Sequence, residues 1–178
     1  IIGNTMEQPK KIRMGMVGGG QDAFIGAVHR MAANLDGNIE LVCGAFSSDP
    51  ARSVSSGRNL YLPADRCYAD YKTMFAEEAK LPEHERMQFV SIVTPNHLHF
   101  PVAKAALEAG FHVLSDKPAT FTLQEALDLA DVLKTSNYLY GLTHTYNGYP
   151  LIKQAKHIAT TGVLGKITKV VVEYSQVS

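Results

Sequence analysis

Three stretches of the sequence bring together residue types suited to chemistry. In LSDKPAT, residues 114 to 120, Asp116 and Lys117 directly follow an apolar run. A carboxylate there can accept hydrogen bonds from a ribose diol. An adjacent ammonium can donate to a substrate hydroxyl, with its acidity tuned by desolvation and charge. The same pair would also suit a surface ion pair ahead of a proline turn. In VTPNHLH, residues 93 to 99, Thr94 and Asn96 offer short polar groups, Pro95 stiffens the turn, and His97 and His99 stand at the mouth of the next helix. Asn96 and His99 would equally serve as helix caps. Two histidines on a turn without acidic or cysteine neighbours make a poor metal site, and no metal is expected.

The third stretch is MVGGGQDAFIGAVHR, residues 16 to 30, where glycines close an apolar run. Gly18 and Gly20 stand in a G-x-G relation, with Ala23 at the third site. A strand running into such glycines, followed by a helix from Phe24, lets a diphosphate approach the backbone and meet the helix's free N–H groups and dipole. Gly18, Gly20, Ala23, Phe24 and Ile25 form this candidate set; a tight turn required by packing is the alternative. The usual acidic partner at the end of the second strand, which binds the ribose hydroxyls, is not evident. In AFSSDP, Asp49 reads as a helix cap, leaving Ser47 and Ser48 at the ribose position. A hydroxyl tolerates a 2′-phosphate better than a carboxylate does, and Arg52 or Arg58 lies within helical reach. NAD and NADP both remain open as cofactor.

These stretches need a scaffold that gathers them, and the pattern supplies one. IRMGMVG, IELVCGAF, MQFVSIVT, FHVLSD and YLYGLT read as strands, the third with almost no polar interruption, as in a parallel sheet covered on both faces. Between them run helical patterns. Phe24, Val28, Met31 and Leu35 share one face, and Asp49 and Pro50 open a second helix. Leu98, Val102, Ala105 and Ala109 make a stripe that ends at Gly110. Thr122 and Glu125 form a capping box for a helix reaching about Ser136, and a further helix spans Pro150 to Thr161 before Gly162. This alternation predicts an α/β fold with a doubly wound parallel sheet.

GKITKVVVEYSQVS reads as one more strand, the opening of another sheet. The chain therefore reads as a nucleotide-binding domain over residues 11–145. Residues 146–178 would be a linker helix and the first strand of a truncated second α/β domain. Met6, followed by EQPKKIRMGMVG, reads as a natural start, with residues 1–5 foreign to the fold.

The bulk numbers fit that reading. The 178 residues carry a formal net charge of +0 with 46% hydrophobic content, which gives no electrostatic reason to expect nucleic acid or an anionic membrane as partner. No apolar stretch is long enough for a membrane-spanning helix. Cys43 and Cys67 lack CxxC spacing, and Cys43 reads as a buried small hydrophobe, which suggests a reducing, cytoplasmic setting.

The order of MVGGG…IGAVHR, SSDP, VSIVTPNHLHFPVAKAALEAGFHVLSDKP, GLTHTYNGYP and LGKITKVVVEY resembles the glucose–fructose oxidoreductase, inositol dehydrogenase and MocA family. The resemblance runs from about Lys11 over nearly the whole chain, and the TPNHLH and DKP blocks carry it more specifically than the glycines. It implies a Rossmann domain for NAD(H) or NADP(H), followed by an open α/β domain. It further implies that Gly18 and Gly20 hold the pyrophosphate and that Thr94, Pro95, Asn96 and His99 line the cofactor. Asp116 would stand for the family's usual glutamate at the nicotinamide ribose. Lys117 would be the substrate-binding and proton-relay lysine, with Pro118 after a cis bond. His144, Tyr146 and Asn147 would face nicotinamide or substrate.

The sequence departs from the family pattern in three ways. Five residues, not two, separate Gly20 from Gly26, so QDAFI should bulge over the pyrophosphate while Gly26 serves helix–strand packing. No ribose carboxylate is evident. The family's catalytic histidine belongs to a second domain that lies beyond this sequence. The implied activity is hydride transfer between a nicotinamide cofactor and a secondary alcohol of a sugar, cyclitol or polyol, with homo-oligomeric assembly when full length. This chain alone should bind cofactor at most. A non-catalytic NAD(P)-sensing regulator and an independent one-domain NAD(P)-binding protein are the competing expectations.

Overall fold

The structure, a computed structural model, describes residues 10–175. Its centre is a parallel sheet of β1 (Ile12–Gly18), β2 (Ile39–Ala45), β3 (Phe89–Val93), β4 (His112–Ser115) and β5 (Tyr140–Leu142), in the order β2-β1-β3-β4-β5. Around it lie α1 (Phe24–Asn34), α2 (Pro50–Asn59), α3 (Tyr71–Glu78), α4 (His99–Glu108) and α5 (Leu123–Thr135). Helices cover both faces. Val90, Ile92, Val102, Ala106, Phe111, Met74 and Phe75 form one core cluster with α3, α4 and α5. Met14, Met16, Phe46 and Val93 form the other, against Ile25 and Ala33 of α1. The doubly wound parallel sheet expected from the alternation is present.

Local signals act where the sequence places them. Asp49 accepts the Arg52 amide at 2.8 Å, and Pro50 fills the first turn of α2. Thr122 and Glu125 form a reciprocal capping box on α5. After α4, Gly110 takes φ +90°, the left-handed conformation that closes a helix at little steric cost.

Three expectations differ from the structure. The helix at α1 exists, but Phe24, Val28, Met31 and Leu35 are exposed, and its buried residue is Gly26. The four residues share one face as the spacing implies, and that face is the outer one, because the small Gly26 is what fits against the glycine loop. Residues 166–175 form no strand; among the described residues the β-branched run there has no neighbouring strand to complete its ladder. Residues 176–178, also assigned to that strand, lie outside the described residues, as do residues 1–5. Between β2 and β3, Asp70 caps α3, a helix absent from the sequence reading.

The chain divides into two compact units, with the boundary between Thr143 and His144. The second contains α6 (Pro150–Thr160), preceded by a 3-10 turn at Thr145–Gly148. Among the described residues no helix is long and apolar enough to cross a membrane.

Candidate functional site

From β1 the chain turns to β2 on one side, whereas from β3 it turns to β4 on the other, so the connections leaving the carboxyl ends of β1 and β3 diverge. Such a switch point is where open α/β sheets collect ligands. Gly18 and Val93 are the last paired residues of these two strands. Gly18 has φ +81°, and a Cβ there would fall 2.8 Å from the Val93 carbonyl oxygen and 3.0 Å from the Thr94 nitrogen. Only glycine suits both demands.

The glycine loop is fastened inward at several points. The Gly20 amide donates to the Phe46 carbonyl at 3.2 Å, the Ala23 amide to the Gly20 carbonyl at 3.1 Å, and the Gln21 amide to Ser56 Oγ at 3.2 Å. Arg30 donates to the Gly19 carbonyl at 2.7 Å. Gly26 packs directly on Gly19, whose φ is +70°. The extra residues bulge as a turn in which Asp22 takes φ +66°.

What faces outward is the start of α1. Its first turn has no side-chain cap and no acidic residue, and helix geometry leaves the Phe24 and Ile25 amides without intrahelical acceptors. With the helix dipole they form an anion-accepting end. The Phe24 ring itself is exposed. A cleft of about 390 Å³ adjoins this end, lined by Gly20, Ala23, Ala27, Arg30, Ser56 and Leu60 among others. A larger one, about 670 Å³, borders Lys11, Ile12 and His112 at the opposite, amino end of the strands. Its place in the topology gives it no part in the switch-point site.

On the β3 side, Thr94 Oγ1 is buried and has no hydrogen-bond partner among the described residues. A buried hydroxyl left without a partner costs free energy, and here it sits beside the glycine loop. This orphaned group and the Cβ-free cradle at Gly18 fit a polar ligand laid across the crevice. Pro95 and Asn96 are exposed at the 3-10 turn Asn96–Leu98. His99 is buried, with Nε2 2.9 Å from the Thr94 carbonyl and Nδ1 2.5 Å from the Pro118 carbonyl. Its ring therefore braces the TPN turn against the DKP turn.

On the β4 side, the Asp116 amide donates to the Ile92 carbonyl at 2.9 Å. Asp116 Oδ1 accepts from the Lys117 amide and from Thr143 Oγ1, each at 2.9 Å. The Lys117–Pro118 bond is cis, and the Lys117 side chain is exposed. Nearby, His29 Nδ1 meets Ser91 Oγ at 2.9 Å. Burial lowers the His29 pKa, and the Asp116 charge partly opposes that shift.

Of the sequence-derived set, Gly18, Gly20, Ala23, Phe24, Ile25, Thr94, Asp116 and Lys117 lie around the carboxyl ends of β1, β3 and β4. Ser47 is half-buried, and its Oγ accepts the Asp49 amide at 3.2 Å, while Ser48 is exposed. Arg52 reaches the glycine loop. His144, Tyr146 and Asn147 belong to the second unit, where Tyr146 stacks edge-on against Tyr149 and its hydroxyl lies 3.2 Å from that of Tyr174. Sequence reasoning missed the parts played by Thr143, His29, Ser91, Arg30 and Asp22. Only His29 had a signal, its spacing from Gly26.

Residues 12–144 match the model of an oxidoreductase family with an NAD-binding Rossmann fold, GFO_IDH_MocA. The chain belongs to this family. It is similar to an inositol dehydrogenase homolog from Azotobacter vinelandii, solved with NADH and myo-inositol, at 44% identity. That match covers 88% of this chain and 41% of that one, with a TM-score of 0.83. An oxidoreductase from Sinorhizobium meliloti is 49% identical, covering 86% of this chain and 42% of that one at TM-score 0.79. The oxidoreductase YfiI of Bacillus subtilis (strain 168) is 38% identical over 93% of this chain and 42% of its own length. The chain thus spans about two-fifths of these relatives. The family assignment makes this an NAD-binding oxidoreductase fold.

Proposed function

We propose that this chain is the nucleotide-binding part of a dehydrogenase that moves hydride between a nicotinamide cofactor and a secondary alcohol of a cyclitol, sugar or related polyol. The observation that carries it is the Cβ-free backbone of Gly18 beside Thr94, whose buried hydroxyl has no hydrogen-bond partner among the described residues, at the switch point. A nicotinamide nucleotide there would supply the hydride acceptor or donor. The amides of Phe24 and Ile25 would hold its diphosphate, with Gly18 and Gly20 giving clearance. Pro95 and Asn96 would border it from the TPN turn, and His99 would fix that turn.

Asp116, oriented by Thr143, would accept from a ribose hydroxyl. Lys117 would donate to the substrate hydroxyl and help move its proton. His144, Tyr146 and Asn147 are proposed for the substrate side. The polyol class rests on the likeness to the myo-inositol-bound homolog.

NADH fluorescence titration tests the cofactor reading. Saturable binding below millimolar concentration is expected, without measurable polyol turnover by this chain alone. No binding at millimolar NADH would overturn the proposal. A version extended to the relatives' length should oxidise a cyclitol or sugar; one that binds NADH but turns over no such substrate would belong with cofactor sensors.

A further inference from the structure

The end of β2 is where a Rossmann fold distinguishes the two nicotinamide nucleotides. A carboxylate there accepts from the ribose 2′-hydroxyl, and an arginine accommodates a 2′-phosphate. In this chain the local acid is already engaged: Asp49 is the cap of α2. The lengthened glycine loop brings another carboxylate to the same end. The Gly20 amide ties the loop to the Phe46 carbonyl, one residue past β2, and Ser56 of α2 accepts the Gln21 amide. From there Asp22 reaches Arg52 on the first turn of α2: Arg52 Nη2 donates to Asp22 Oδ2 at 3.1 Å and to the Gln21 carbonyl at 2.9 Å.

We infer that the Asp22–Arg52 pair selects NAD(H) over NADP(H), with Asp22 taking the role of the acid missing from the end of β2. The inference rests on the cofactor reading above. Asp22 acts in two ways. Its carboxylate accepts from a ribose hydroxyl and repels a 2′-phosphate. It also holds and neutralises the guanidinium that would otherwise meet that phosphate, since arginine matches phosphate geometry with paired donors. Asp22 holds a left-handed backbone conformation (φ +66°), rare for a residue with a side chain, and from it the carboxylate meets Arg52 of α2. Both side chains are largely solvent-exposed, at 87% for Asp22 and 52% for Arg52, so neither is needed to fill the core.

The test is titration of NADH and NADPH, at low and raised salt, into the chain and into Asp22→Asn, Arg52→Ala and the double variant, with thermal melts as a folding control. The unaltered chain should prefer NADH. Asp22→Asn should move the NADPH-to-NADH affinity ratio toward NADPH by about tenfold, an electrostatic gain that shrinks with added salt. The double variant should lose that gain. A ratio unmoved by Asp22→Asn, or a gain that survives removal of Arg52, would overturn the assignment while leaving the cofactor reading intact. Failure of the unaltered chain to bind either nucleotide would overturn both.

Discussion

Gly26 of α1 lies against Gly19 of the loop so closely that a Cβ at position 26 would fall 2.6 Å from the Gly19 carbonyl oxygen. The contact sets how near the amino end of α1 comes to the carboxyl end of β1. Gly26→Ala should push α1 outward, costing about 1–3 kcal/mol of stability. It should also weaken NADH binding at least tenfold, because the Phe24 and Ile25 amides move with the helix. Urea denaturation and NADH titration check both effects. Gly148→Ala is the control, since nothing lies within 4 Å of a Cβ there. An unshifted melt and unaltered affinity in Gly26→Ala would remove the packing argument.

Glu78 is fully buried and bound on every side. Arg66 Nε and Nη2 reach its two oxygens at 2.7 Å each, the Tyr68 hydroxyl donates at 2.9 Å, and the Met87 amide at 3.0 Å. This network joins α3 to the turn after α2 and to the residues leading into β3. Glu78→Ala leaves the Arg66 charge uncompensated in a mostly buried place, and about 3–5 kcal/mol of destabilisation is expected by urea denaturation. Burial and the Glu78 charge also raise the Cys43 thiol well above its ordinary pKa. Cys43 should therefore resist alkylation in the native chain and react only on unfolding.

His29 gives stability a pH dependence of known sign. Its native pKa lies below the ordinary 6.5 because burial disfavours the imidazolium. The unfolded chain therefore takes up its proton first as pH falls. Stability should decline as pH drops through 6.5 toward the lower native value, and this contribution should level off beneath that. Unfolding free energies near pH 5.5 and pH 7.5 measure the decline. His29→Asn should flatten it. The same slope in both proteins would assign the effect to other groups.

What the sequence made legible was what short-range chemistry writes. Asp49, Pro50, the Thr122–Glu125 box and Gly110 act on their own neighbours, and the strands are apolar because both faces are covered. Where a residue's role depends on a distant partner, the pattern gave no sign. The α1 stripe of Phe24, Val28, Met31 and Leu35 obeys helical spacing, yet contact with Gly19 turns the helix the other way. α3 buries Met74, Phe75 and also Glu78, which reads as a surface residue until Arg66 is placed beside it. KVVVEY has strand composition without a partner strand among the described residues, and composition alone forms no ladder. Within the candidate site, the glycines and the Asp116–Lys117 pair are sequence-local. The Asp116–Thr143, His29–Ser91 and Asp22–Arg52 contacts join residues 27, 62 and 30 positions apart.

Lys117 offers the sharpest separation of chemistry from architecture. Its amide is held by the Asp116 carboxylate at 2.9 Å, whereas its side chain is exposed. Any side chain keeps the amide contact. Lys117→Ala should therefore leave the melting temperature and NADH affinity of this chain nearly unchanged. In a protein extended to the relatives' length, loss of the donor proposed for the substrate hydroxyl should cut turnover by about 10²–10⁴-fold. Lys117→Arg keeps a charged donor but not a group that readily gives up its proton, and should restore substrate KM more than kcat. Parallel losses in turnover and NADH affinity would instead make Lys117 a support for the cofactor loop, with the proton relay assigned elsewhere.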